Sequence, residues 1–513
     1  MYRKIRITLA TVMFLGITLL FLDFTGTFQG WLGWMPRLQL VPALLSMSVV
    51  WVIVLILITL CLGRTYCSIL CPMGIFQDVV SDLRRKKNRF SYSKPSHILR
   101  YIFLVLFLAG FFTGIHSLVT LLEPYSNYGR IAQSLFQPLY ILGNNGLAAL
   151  AEQADSYAFY PVGIWVRHVP TFLVTIGVFV LVVVLAWRGG RTYCNTICPV
   201  GTTLGLLSRF SFMKIHIDKD KCVNCVLCAK NCKSSCIDIK HHSIDASRCV
   251  VCFNCLGKCK KDAISYTWKR GVSFSKEEVP LPTPSQNSQS ISNDTKEQVD
   301  TNRRAFLIAT AGIATAALAQ EKKKVDGGLA VIREKAIVRR STAITPPGSL
   351  SAKNMADHCT GCQLCVSACP NQVLRPSGGM FTLMQPVLAF EHGFCRPECN
   401  RCSEVCPAGA IRPISLSDKT SIHIGHAVWI RRNCVPLTDR DERGKHVSCG
   451  NCERHCPTGA ITMIPSVADD EGSPRIPAID EERCIGCGAC ENLCPARPYP
   501  AIHVEGHEVH RID

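Results

Sequence analysis

Cysteines recur along this chain in short, closely spaced runs, and that spacing limits the fold more than any other feature. Six runs can be read: Cys222, Cys225, Cys228 and Cys232; Cys249, Cys252, Cys255 and Cys259; Cys359, Cys362, Cys365 and Cys369; Cys395, Cys399, Cys402 and Cys406; Cys434, Cys449, Cys452 and Cys456; Cys484, Cys487, Cys490 and Cys494. Thiols three residues apart close on one small object, whereas a disulfide framework spreads its partners through loops. Zinc ribbons use pairs of C-x2-C rather than triplets with a fourth cysteine three residues on. The C-x2-C-x2-C-x3-C run is the [4Fe–4S] pattern, in which three thiolates wrap one cluster and the fourth reaches a second. Six [4Fe–4S] clusters are therefore expected. The fifth run has fourteen residues between Cys434 and Cys449 where the others have two or three, so its first ligand departs most from the pattern. Of the 30 cysteines, the runs leave Cys61, Cys67, Cys71, Cys194, Cys198 and Cys236.

Four apolar stretches, Ile5–Leu22, Leu40–Leu62, Ile98–Leu122 and Val169–Trp187, have about the length needed to cross a hydrocarbon core of roughly 30 Å as helices. Basic residues flank them unevenly. Arg3, Lys4 and Arg6 open the first, the 63–97 loop holds Arg64, Arg84, Arg85, Lys86, Lys87, Arg89 and Lys94, and Arg188 and Arg191 follow the fourth. Loops 23–39 and 123–168 are poor in Lys and Arg, so the N-terminus, the 63–97 loop and the stretch after Trp187 are expected in the cytoplasm. The formal charge of +18 reflects these flanks and omits the negative charge of thiolate-bound clusters, so no nucleic-acid partner is expected.

The apolar stretches contain a repeat. Gly63-Arg64-Thr65-Tyr66-Cys67 and Cys71-Pro72 follow the second, and Gly190-Arg191-Thr192-Tyr193-Cys194 and Cys198-Pro199 follow the fourth. Repeats in membrane proteins commonly form a site at their pseudo-symmetric interface. Cys67, Cys71, Cys194 and Cys198 are thus candidate ligands of one further cluster or metal; the alternative is a set of structural or redox-active thiols. Cys61 lies within a span as a lipid-facing or packed residue. Cys236 is expected to fill the core beside the clusters, since free cysteine is among the most buried residue types. His116, Glu123 and His168, near the outer ends of spans, are candidate proton acceptors, set against ordinary interfacial anchors.

The chain divides into a four-helix membrane domain (1–215), a two-cluster ferredoxin domain (216–270), a Ser/Pro/Gln-rich linker (271–300), a twin-arginine-like segment (301–320) and a four-cluster polyferredoxin domain (340–513). The fold class expected is a membrane α-helical bundle with a two-helix repeat, joined to α+β bacterial-ferredoxin-like units. In the first ferredoxin, crossed ligation pairs Cys222, Cys225 and Cys228 with Cys259, and Cys249, Cys252 and Cys255 with Cys232. In the last unit, adjacent runs can pair, or the first with the last. Arg303 and Arg304, Phe306 and the small-residue run to Ala319 carry the export-signal pattern.

Residues 1–270 resemble the NapH-type membrane ferredoxins of periplasmic nitrate reductase systems, and residues 301–513 resemble their NapG/MauM-type polyferredoxin partners. The resemblance implies an inner-membrane, multi-pass protein whose C-terminal unit is periplasmic. It implies quinol as substrate, drawn from the membrane pool, and a periplasmic reductase or cytochrome as electron acceptor. The rival reading is a maturation or redox-regulatory factor for a respiratory metalloenzyme, and a third is a cytoplasmic polyferredoxin with a membrane anchor.

Overall fold

The computed structural model describes residues 2–84, 90–268, 335–440, 444–468, 470 and 472–512. The expected linker and twin-arginine-like segment, Arg303 and Arg304 included, lie outside these residues.

Helix α1 (Tyr2–Leu22) is apolar beyond its basic first turns, which hold Arg3, Lys4 and Arg6, and stops at Asp23, whose carboxylate accepts from the amides of Thr25, Gly26 and Phe28 at 3.0, 2.7 and 2.8 Å. Two single turns, α2 (Gln29–Leu32) and α3 (Trp34–Arg37), lead to the second apolar stretch. That stretch was expected as one span, and it is two helices, α4 (Leu40–Leu45) and α5 (Val49–Leu62). The break is local: Met47 takes φ 54°, a left-handed conformation that no helix can propagate through. Gly63, at φ 79°, ends α5 and turns the chain into the short α6 (Tyr66–Ile69) and the amphipathic α7 (Pro72–Leu83). The third expected span is likewise divided, into α8 (His97–Phe112) and α9 (His116–Leu122), at Gly114 with φ 74°. Then come α10 (Pro124–Ile131), a π-helical turn (Ala132–Phe136) and α11 (Gln137–Gln153). Helix α12 (Val169–Gly189) ends at Gly190, φ 65°, and is followed by α13 (Thr192–Thr196) and α14 (Pro199–Ser208), the counterparts of α6 and α7.

Among the described residues, α1 and α12 are long and apolar enough to cross a membrane. Helices α5 and α8, of 14 and 16 residues, are apolar but shorter. At 1.5 Å per residue they reach about 21 and 24 Å.

The two ferredoxin units cover opposite ends of this helical body. In the first, β1 (Met213–Ile217) pairs antiparallel with β4 (Ile264–Trp268), and β2 (Ile237–Asp238) with β3 (Ser243–Ile244). It packs where α1 and α8 begin and where α5 and α12 end. The Arg3 side chain donates to Asn254, the Tyr266 hydroxyl to the Leu62 carbonyl at 2.9 Å, Arg100 to Ser247 Oγ, and the Arg191 amide to the Lys233 carbonyl at 2.8 Å. The second unit holds β5 (Leu374–Pro376) against β6 (Pro386–Leu388), β7 (Ile422–Trp429) against β10 (Ile502–Ile512), and β8 (Ile461–Pro465) against β9 (Arg475–Ile479). It begins earlier than residue 340, because Lys335 donates to the Glu491 carbonyl and the Ala336 amide to the Pro498 carbonyl. This unit meets the Lys/Arg-poor loops. Arg37 donates to the Glu404 carbonyl, Trp165 to Gln372 Oε1 at 2.6 Å, and His116 lies 3.6 Å from Asp357. Helix α1 thus runs from one ferredoxin unit to the other, as does α12 through its N-cap His168, while α5 and α8 meet the first unit and connect to the second only through α4 and α9.

Candidate iron-sulfur centres

The repeat folds onto itself as a pseudo-two-fold pair. Arg64 and Arg191 are fully buried, and each reaches into the other half: Arg64 Nη2 donates to the Cys194 carbonyl at 3.4 Å, and Arg191 Nη1 to the Cys67 carbonyl. Gly74 and Gly201 permit this approach. A Cβ on either would lie 2.3 or 2.2 Å from the carbonyl oxygen of Cys67 or Cys194. The exchange brings Cys67, Cys71, Cys194 and Cys198 together in the core, where their thiols feel one another's charge. Cys71 and Cys198 cap the N-termini of α7 and α14, each followed by a proline at the first helical position, so two positive helix ends face the thiols. Donors converge as well: Arg64 Nη2 lies 3.7 Å from Cys67 Sγ, Gln77 Nε2 3.0 Å from Cys194 Sγ, and the Gly201 amide 3.3 Å from Cys198 Sγ. Burial pushes the Cys71 and Cys198 thiols up, and the neighbouring thiols add to it. Four sulfurs ringed by guanidinium and amide donors suit an anionic all-cysteine cluster.

Asp78 on α7 ties this site down. Its carboxylate takes Arg191 through Nε and Nη2, both at 2.8 Å, and also meets Arg6 Nη1 at 3.1 Å and Lys233 Nζ at 3.5 Å. One buried anion therefore joins α1, α7, the second repeat and the first ferredoxin. The sequence signal for Arg64 and Arg191 was their recurrence in both copies; Asp78 and Gln77 have no counterpart in α14 and gave none.

In the first ferredoxin, Cys232 lines one small cavity with Cys249, Cys252 and Cys255, the crossed arrangement. Cys236 is buried in the core beside these cysteines, its Sγ 3.5 Å from Cys232 Sγ. Cys222, Cys225 and Cys228 lie together, Cys225 exposed and Cys228 buried, and Cys259 packs against the core that holds Cys228. In the second unit, adjacent runs cross. Cys359, Cys362 and Cys365 face Cys406; Cys369 lines a cavity with Cys395, Cys399 and Cys402. Cys434 sits with Cys449 and Cys452 around a cavity completed by Cys494, so the long insertion leaves its place intact. Cys484, Cys487 and Cys490 gather on the other side, with Cys456 near Cys484 and Cys487.

The cavities are lined by cysteine sets drawn three from one run and one from its neighbour, the donor set an all-cysteine [4Fe–4S] group takes.

The four-thiol site is linked by hydrogen bonds to both units. Towards the first, Arg64 Nη1 donates to the Ser247 carbonyl at 2.8 Å, two residues before Cys249. Towards the second, Tyr193, next to Cys194, accepts from Asn127 Nδ2 at 3.3 Å; Asn127 Oδ1 accepts from Arg130 Nη2 at 2.7 Å; and Arg130 Nη1 donates to the Gly361 carbonyl at 3.3 Å. Gly361 precedes Cys362. Of the candidate proton acceptors, Glu123 caps α10, accepting from the amides of Tyr125 and Ser126, and His168 caps α12. His116 bridges to Asp357. Cys61 is exposed on α5.

Models of a 4Fe-4S binding domain match residues 44–91 and 171–218, the two repeats, and models of a 4Fe-4S dicluster domain match 245–373 and 447–497. The methylamine utilization ferredoxin-type protein MauM of Methylophilus methylotrophus is 30% identical over 168 residues, 30% of this chain and 68% of that protein. MauM of Methylobacillus flagellatus is 30% identical over 162 residues, and the chain spans 64% of its length. Ferredoxin-type protein NapF of Escherichia coli K12 is 26% identical over 170 residues, 33% of this chain and 90% of that protein. No solved structure matches the chain. The chain belongs to the family of ferredoxin-type iron–sulfur electron-transfer proteins that includes MauM.

Proposed function

We propose that this protein oxidises membrane quinol and passes the electrons through [4Fe–4S] groups to a periplasmic reductase or cytochrome, as in nitrate-reductase-like systems. One observation carries the reading: two cysteine-rich units sit at opposite ends of an apolar helical body, joined through four buried thiols by hydrogen bonds. A maturation factor or a soluble regulator has no need of such a line. Helices α1, α5, α8 and α12 form the four spans of an inner-membrane protein, with the first ferredoxin in the cytoplasm and the second unit in the periplasm. The charge asymmetry of the loops supports that orientation. Cys67, Cys71, Cys194 and Cys198 would hold one further cluster at the repeat interface, and the six runs would hold six [4Fe–4S] clusters, each supplying one-electron storage.

The test is reduction of the purified, anaerobic protein by a quinol analogue, followed by electron paramagnetic resonance. Quinol is expected to reduce part of the iron while losing two electrons and two protons per ring. Serine at any one of the four membrane-side cysteines should slow exchange of electrons between the two units, leaving the iron of the six runs in place. A double substitution, Cys67→Ser with Cys194→Ser, should add little, because groups acting as a unit are non-additive. A wild-type protein that no quinol analogue reduces would overturn the reading and leave the maturation role.

A further inference from the structure

Between the π-helical turn Ala132–Phe136, the segment 164–172 and the third cysteine run lies an open-mouthed cleft with an interior of about 60 Å³. Ser134, Leu135, Trp165, His168, Phe172 and Gln363 line it. π-turns within helical runs are frequent at functional sites.

Gln363 is the telling residue. It follows Cys362 directly, is only 1% exposed, and holds a left-handed backbone with φ 65°. Neither its Oε1 nor its Nε2 has a hydrogen-bond partner. A buried amide that leaves both donor and acceptor unmade is costly, and native interiors rarely keep one without a use. It offers one acceptor and one donor side by side, the complement of a phenolic hydroxyl. His168 stands in the same cleft with Nδ1 engaged by the Thr171 hydroxyl at 2.8 Å and amide at 3.4 Å, which leaves Nε2 for a ligand. The walls are held in place. Trp165 donates to Gln372 and lies 4.2 Å from the His392 ring, centroid to centroid, and Arg167 donates to the Val366 carbonyl. Beside the cleft, Leu139, Val169 and Leu173 expose apolar side chains at 43%, 56% and 62%. A lipid-borne ring can therefore enter from the apolar side.

We propose that this cleft binds the quinol headgroup, with Gln363 holding one ring hydroxyl and His168 Nε2 the other. The site rests on the quinol reading above and adds its location, at the junction of the helical body and the second ferredoxin unit. Oxidation there converts the quinol to a quinone. Two electrons pass one at a time to the iron–sulfur acceptor that Cys359, Cys362, Cys365 and Cys406 would hold, and two protons pass to water at the mouth.

The experiment uses the full chain in detergent with a photoreactive azido-naphthoquinone, and competition by a non-reactive naphthoquinone gives the affinity. Labelled peptides should fall within 133–138 or 164–172. Gln363→Leu should weaken binding tenfold or more while iron content and the dithionite-reduced spectrum stay unchanged. His168→Asn keeps an acceptor for the start of α12 and should weaken binding at least threefold. That variant decides alone if Gln363→Leu loses iron. Labelling elsewhere, with unaltered affinity in the deciding variants, overturns this location but keeps the quinol reading. Labelling here that phospholipid displaces and naphthoquinone does not makes the cleft a lipid site and overturns the proposal. No quinone binding at any position overturns both.

Discussion

Replacing Asp78 by Asn tests whether one buried carboxylate holds the helical body and the first ferredoxin together. The side chains concerned are nearly sealed from water: Asp78 is 9% exposed, Arg191 0%, Lys233 6% and Arg6 7%. Asn keeps the volume but leaves three buried cations facing a neutral group. Removing one partner of a buried pair costs about 3–5 kcal/mol. The lower end applies here, because Arg191 keeps the Cys67 carbonyl and Lys233 keeps Asp82 at 2.8 Å. A loss of about 3 kcal/mol is roughly a hundredfold in the folding equilibrium. For a unit of this size it should lower the thermal midpoint by about 6–12 °C. The pH dependence sharpens the test. Burial opposes ionisation of Asp78, but Arg191, Lys233 and Arg6 outweigh it and hold the carboxyl well below the usual carboxylate range. A depressed carboxylate contributes stability that is complete above its unfolded pKa, about 3.9, and is lost as pH falls through the folded value. The deficit of Asp78→Asn should therefore be flat between about pH 5 and 8. Thermal melts of anaerobic protein in detergent, followed by circular dichroism, measure it. Asp82→Asn, whose side chain is 58% exposed, is the control and should cost at most about 1 kcal/mol. A shift for Asp78→Asn no larger than the control's, or one that fades towards pH 8, would refute the argument.

Iron and acid-labile sulfide should each approach about 24 per chain in anaerobically purified protein, with more if the membrane-side thiols hold a further cluster; about a third of that iron, with bound zinc, would contradict the cluster reading. Cys434→Ala should remove about four of those irons, since Cys434 shares a cavity with Cys449, Cys452 and Cys494; unchanged iron would show the insertion has displaced it from the ligand set. Gly129→Val should loosen the second unit from the helices, because a Cβ there would lie 2.5 Å from the Cys362 carbonyl oxygen and 2.6 Å from Phe21 Cζ. Overpacking of this kind costs about 1–3 kcal/mol, and faster amide exchange at 359–369 with no change at 213–268 is the expected sign.

The candidate ligand thiols were legible from sequence because three of each set come from one short run, so local spacing carries the pattern. The GRTYC-x3-CP repeat was legible for a similar reason, each copy being a complete local element. Hydropathy found the apolar stretches but not their breaks at Met47 and Gly114, since a left-handed φ leaves no trace in apolar content. Which run supplies each fourth cysteine in the second unit depended on how distant segments pack, and only the fold paired Cys369 with the fourth run and Cys494 with the fifth. Loop charge led to the expectation of separate sides for the two ferredoxins, but that Lys335 and Ala336 belong with the second unit came only from their contacts to Glu491 and Pro498 far along the chain. Glu123 and His168 looked alike in sequence as ionisable residues near span ends. The fold made both of them helix caps, but enclosed Glu123 on all sides and left His168 in a cleft. Gln363 carried no signal at all, because what marks it is the absence of partners, and a missing hydrogen bond exists only once every neighbour has been placed.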